Sequence, residues 1–139
     1  MPTVETSIWL ALRERVESLA LNPTLAVAWP KEVYEPTGGP YIEVIHLPNT
    51  PRRLFLNGSE PHQRLGILQL TLIYPVSSKH DVVTDIEITG QIAEHFPAGL
   101  IVRRDGLAVT ITQAPDIARG FQEDGYWRTP ISIRWECFA

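Results

Sequence analysis

The chain has 139 residues, 44% of them hydrophobic and 20% charged, and carries a formal net charge of −4. A single domain of that size buries roughly 68% of its unfolded surface, so it needs no staples to fold. The acidic balance gives the whole molecule no electrostatic reason to seek nucleic acid or an anionic membrane, and a lone cysteine, Cys137, excludes an internal disulfide and a cysteine-built metal site. The N-terminal stretch lacks the basic start and continuous apolar core of a signal peptide, and no apolar run approaches the ~20 residues needed to span a bilayer. These features predict one soluble, intracellular domain over residues 1–139.

In chain order, Ile8, Trp9, Leu12, Val16 and Leu19 recur at threes and fours and predict a helix from Val4 to Leu21, ended by Asn22-Pro23. Leu25 to Trp29 reads as a short strand between prolines, which places it at a sheet edge. After a turn-rich loop from Lys31 to Pro40, Tyr41 to Leu47 forms a second strand, with Ile42 and Val44 on one face and Tyr41, Ile45 and Leu47 on the other. Asn49 to Gln63 has two turn signals and no helical stripe. It is read as a long loop, or as a protruding two-stranded arm with Asn57-Gly58 at its tip.

Arg64 to Phe96, a strand to Pro75, a short turn and a helix, is the structural centre. Leu68, Leu70, Leu72 and Tyr74 share one face, while Leu65, Ile67 and Ile73 share the other with Gln69 and Thr71, a pattern that predicts an interior strand. Ser78 and Asp81 then cap a helix whose stripe runs Val82, Ile86, Thr89, Ala93 and Phe96, stopped by Pro97 and Gly99. A hairpin follows, Leu100 to Val102 and Leu107 to Thr112, turning at Asp105-Gly106 with Leu107, Val109 and Ile111 inward. Gln113 to Gly125 reads as a polar loop. The chain closes on a strand from Tyr126 to Phe138 with Ile131, Ile133, Trp135 and Cys137 inward, where Pro130 predicts a bulge or an edge. The fold class is α+β: one mixed, mostly antiparallel sheet with two helices, in the order α-β-β-β-α-β-β-β, with the arm between the second and third strands.

No catalytic, phosphate-cradling or metal-binding motif occurs. His46, His62, His80 and His95 lie on different elements without a second ligand at helical spacing, and structural or solvated roles fit them best. Trp9 and Trp135 fit buried stripes, whereas Trp127 fits either the core or a subunit boundary. What remains is surface. The segment before the central strand carries Arg52, Arg53 and Arg64 against one acid, Glu60, and holds Leu54, Phe55 and Leu56 without a core of its own. Such a segment is either a solvated loop tucking Phe55 onto the domain or an arm ordered by a neighbour. Arginine and aromatic residues are the types enriched in interface cores, so Arg52, Arg53, Leu54, Phe55, Leu56, His62, Arg64 and Trp127 form the candidate assembly interface. Two or three arginines are too few for a nucleic-acid face.

A series of short pieces resembles a known family. Ile8 to Val16 reads I-W-x-A-L-R-x-R-V, Ala28 to Pro30 A-W-P, and Gly39 to Val44 G-P-Y-I-E-V. Leu47 to Leu54, Arg64 to Pro75 and Ala93 to Gly99 continue the series in order. Together they resemble the phage tail terminator-like proteins over most of the chain. The resemblance implies a non-enzymatic structural protein of a long-tailed phage or prophage, with no cofactor. It implies a ring of copies of the chain, a hexamer, seated on the end of the tail tube. That ring stops tube polymerisation and gives the head–tail connector protein a surface to join. The implied partners are therefore the chain itself, the tail-tube protein and the connector protein; no membrane is implied, and nucleic acid only passes through the ring. Assembly in the host cytoplasm and residence in the virion tail follow. A different morphogenesis part, such as a tail-tube or head–tail completion protein, is the alternative, and a small-ligand-binding or enzymatic α+β domain unrelated to phage is the second.

Overall fold

The computed structural model describes residues 2–21, 24–32, 39–53, 61–76 and 82–139, with Arg53 and Val82 described in backbone only. Helix α1 spans Val4–Glu17 and is capped by Thr3, whose side chain accepts from the Thr6 N–H. It ends sooner than its apolar spacing predicts, because the Ser18 N–H and hydroxyl both turn back onto the carbonyl of Arg15. Leu19 and Leu21 still pack on the core from outside the helix.

Nine strands form one sheet among the described residues: β1 (Ala26–Ala28), β2 (Tyr41–Pro48), β3 (Arg52–Arg53), β4 (His62–Pro75), β5 (Ile101–Arg104), β6 (Leu107–Ile111), β7 (Asp116–Ile117), β8 (Phe121–Glu123) and β9 (Tyr126–Phe138). The main path runs β1-β2-β4-β9-β6-β5, with β3 added to β4, and β7 and β8 added to β9. The pairing of β1 with β2 is parallel and the others are antiparallel, so the sheet is mixed. Proline-flanked β1 lies at an edge, as its sequence predicts. Strand β4 lies between β2 and β9, the interior position that its doubly apolar pattern predicts.

The stretch from Gln113 to Gly125 is not a plain loop. Its β7 and β8 continue the line of β6 along β9, and β8 turns into β9 through Asp124-Gly125. Both turn residues have positive φ, 50° and 80°, as do Asp105 and Gly106 at 50° and 81°. That geometry is the two-residue hairpin turn whose twist matches the strands. Pro130 sits in the gap between β7 and β8, so β9 stays interior. Ile117 faces Ile131 and Phe121 faces Arg128, which sets three residues opposite two. The bulge therefore falls on the neighbouring strand, where Pro130 lacks a donor to offer.

Helix α2 spans Val82–Glu94; the cap predicted at Ser78 and Asp81 lies outside the described residues. Its buried side is Ile88, Thr89 and Ile92, with Phe96 just past its end, so Thr89 and Phe96 of the predicted stripe are buried while Ile86 faces solvent. The buried side is rotated from the predicted stripe toward Asp85, which is drawn inward and accepts from the Thr129 hydroxyl at 3.1 Å. β-Branched residues weaken this helix intrinsically, and packing of that side holds it.

Candidate assembly surface

Both helices lie on one face of the sheet. Ile8, Leu12 and Val16 of α1, Ile88 and Ile92 of α2, and Phe96 just past α2 join Leu68, Leu70, Leu72, Tyr74, Ile131, Ile133 and Trp135 in one core. Trp135 reaches across Gly66, where a Cβ would stand 2.5 Å from its ring. Beside it, the His46 imidazole lies between Trp9, with centroids 5.3 Å apart and planes at 23°, and Trp135 at 5.5 Å. Burial pushes the His46 pKa below its ordinary value, with Glu5 opposing. His46 is a packing residue. His95 is one too: its ring faces the Ser18 hydroxyl at 2.8 Å and its carbonyl accepts from the Arg15 guanidinium at 2.8 Å, and burial lowers its pKa.

The opposite face carries no helix among the described residues. At one end it closes on itself: Tyr41, Thr71 and Ile73 are buried, and Tyr41 meets Tyr126 edge-on at 6.4 Å. Arg128 faces Glu43 there at 3.9 Å. At the other end it is open. Leu47 and Ile67 pair across β2 and β4, Phe138 pairs with Gln63, and Leu65 lies between them on the same face. Leu47 and Phe138 are 48% and 54% exposed. Arg134, opposite Ile67, and Arg52, opposite Gln63, share this end, and neither guanidinium has an ion pair among the described residues. Glu136 stands opposite Leu65 on this face and accepts from the Gln63 amide at 3.2 Å, so the rim is mixed, with arginine in excess. A solvated antiparallel face is ordinarily polar, so this apolar patch is a candidate contact surface.

The predicted interface residues divide between these two faces. Arg52 sits on the open face, and Arg53 pairs with His62 at the start of the segment. Leu54, Phe55 and Leu56, with the Asn57-Gly58 tip, lie outside the described residues. His62 exchanges both backbone hydrogen bonds with Ala139, at 3.1 and 3.0 Å, tying the last residue to β4. Arg64 points to the helix side, where it pairs with Glu5 and donates to the Ala139 carbonyl at 3.1 Å. Trp127 also lies on the helix side, 38% exposed, with its indole over Gly120 and its N–H given to Asp85. Burial pushes the Asp85 pKa up, and the hydrogen bonds from Thr129 and Trp127 oppose it. Leu47, Phe138 and Arg134 were not among the predicted residues. Their signal was present in the doubly apolar β4, since two apolar faces call for two covers and the described residues supply one.

A groove of about 490 Å³ runs beside β1 and β2, lined by Trp29, Lys31, Glu32 and Glu43 among others. It is open, and its charged groups do not converge on one point with a nucleophile. Among the described residues no group of three or more His, Cys, Asp or Glu side chains could hold a metal ion, and no helix is long and apolar enough to cross a membrane.

The described residues thus form a two-layer α+β domain with one sealed and one open sheet face, and Arg52 and Arg134 on the open side have no ion pair among them. Residues 7–135 match the family model described as phage tail terminator protein, and the chain belongs to that family. Membership makes it a structural component of phage tails. A solved structure known by a sequence identifier alone superposes with a TM-score of 0.79 at 21% identity, covering 98% of this chain and 96% of that one. A chain of the virion of a native gene transfer agent particle superposes with a TM-score of 0.60 at 12% identity, each covering the other fully. At those identities the likeness is one of fold. No curated protein matches.

Proposed function

We propose that this chain closes into a ring on the end of a phage tail tube, stops the tube from growing, and presents the surface that the head connector joins. The observation that carries this reading is the open, arginine-rimmed sheet face in a chain of the tail terminator family. A cap needs no reaction centre. It needs one heterologous contact repeated around an axis, because closure removes the free face that would otherwise propagate. Arg52 and Arg134, repeated at every subunit, would give the ring a basic collar although each chain is acidic overall. Assembly would take place in the host cytoplasm, with the tail-tube and connector proteins as partners and a hexamer as the ring.

The test is electron microscopy of cognate tail tubes grown with and without the purified chain. Rings at tube ends and arrested growth are expected. A chain that stays monomeric, binds no tube and leaves tube lengths unchanged would sink the reading. The same heterologous contact propagates a tube when its rotation does not close, so filaments of the pure chain would place it with the tube proteins instead.

A further inference from the structure

The outward side of α2 carries side chains that neither the helix nor the core explains. Val83 and Ile86 are 71% and 62% exposed, yet β-branched residues lower helix propensity and these two contribute nothing to the interior. One turn on, Gly90 leaves its outer side bare, with nothing within 4 Å of where a Cβ would stand. Glu87 and Glu94 flank this stripe, no lysine or arginine lies on the helix, and neither acid has an ion pair among the described residues. The result is an apolar strip with an acidic rim. On the far side of the sheet, Leu47, Ile67 and Phe138 make an apolar patch whose rim carries two arginines, Arg134 and Arg52, against one acid, Glu136, which accepts from the Gln63 amide at 3.2 Å.

We propose that the outer side of α2 in one copy docks on the open sheet face of the next copy. Both surfaces are apolar at the centre; one rim is acidic, and the other is net basic, with two arginines against Glu136, a complementarity that favours this pairing over like with like. They lie on opposite sides of one sheet, so a chain cannot bring its own two surfaces together. Pairing like with like would put Glu87 and Glu94 against their own copies, or Arg134 and Arg52 against theirs. The contact is therefore head to tail, the type that generates rings. This inference rests on the ring reading above and names the surfaces that build it. Gly90 contributes by letting a strand or side chain of the neighbour approach the helix backbone closely.

Cross-linking tests the pairing directly. One pool of full-length chain carries Ile86→Cys and a second carries Leu47→Cys; both positions are exposed, and the native Cys137 is buried. A short bis-maleimide is applied to rings, free or recovered on tube ends. Covalent dimers are expected in the mixed pool and not in either pool alone, and a chain carrying both substitutions should give a ladder ending at the ring number. Glu87→Arg and Arg134→Glu should each weaken ring formation about tenfold, and their combination should restore much of it. Dimers within a single pool would overturn the head-to-tail pairing. Rings that form normally yet give no cross-link between positions 86 and 47 would overturn these surfaces while leaving the ring reading intact. A chain that never associates, with or without tubes, overturns both.

Discussion

On the helix side of the sheet, Leu68, Leu70, Leu72, Ile131 and Ile133 are sealed to 0% exposure beneath α1 and α2. Across the same strands, Leu47 and Phe138 keep about half of their surface in water, and Leu65 and Ile67 are only half-buried. Both faces are apolar, so composition does not separate them. What separates them is the cover that the described residues supply. The sealed face holds the fold, and the open one leaves apolar area that a second chain can bury at roughly 25 cal/mol per Å². A residue on the first face should therefore be read by its effect on unfolding, and a residue on the second by its effect on association.

Leu70→Ala, in the middle of the sealed face, should give the largest loss of stability, about 2–5 kcal/mol by chemical denaturation. Gly66→Ala should follow at about 1–3 kcal/mol, because its new methyl would stand 2.5 Å from the buried Trp135 ring, which has no room to withdraw. On the open face, Leu47→Ala and Phe138→Ala should shift the same denaturation midpoint by no more than about 0.5 kcal/mol. A loss at Leu47 or Phe138 as large as that at Leu70 would erase the distinction between the faces.

The histidines offer a subtler probe of the sealed side. Burial lowers the His46 pKa in the folded chain, so as pH falls below 6.5 the unfolded chain takes up the proton first. Stability from this group is complete above that value and is lost as the pH drops through it. His95 acts in the same direction. Asp85 acts oppositely and lower, because the folded chain takes its proton first, starting above 3.8. Thermal melts should thus show falling stability between about pH 7 and pH 5. His46→Phe, which keeps the stack with Trp9 and Trp135, should make that decline shallower.

The interior of β4 could be read from period-two alternation, and the hairpin of β5 and β6 from Asp105-Gly106, because local chemistry alone specifies both. The second hairpin carries the same signal at Asp124-Gly125 but escaped notice, since β8 reads Phe-Gln-Glu and all three residues are exposed. Without a buried side there is no alternation to see. The rotation of α2 was hidden for a different reason. Asp85 faces inward only because Thr129 and Trp127, more than forty residues away, offer it hydrogen bonds. The open face was half legible: two apolar sides on β4 announced a need for two covers, and nothing local gives the second one to another molecule, as proposed above.

Leu47→Glu puts that conclusion to the most direct measurement. Its unfolding midpoint and its capping of tail tubes, followed by electron microscopy, should be compared with wild type in one preparation. A wild-type midpoint with capping lost is the expected result. A variant that unfolds as wild type and still caps tubes in full would contradict it.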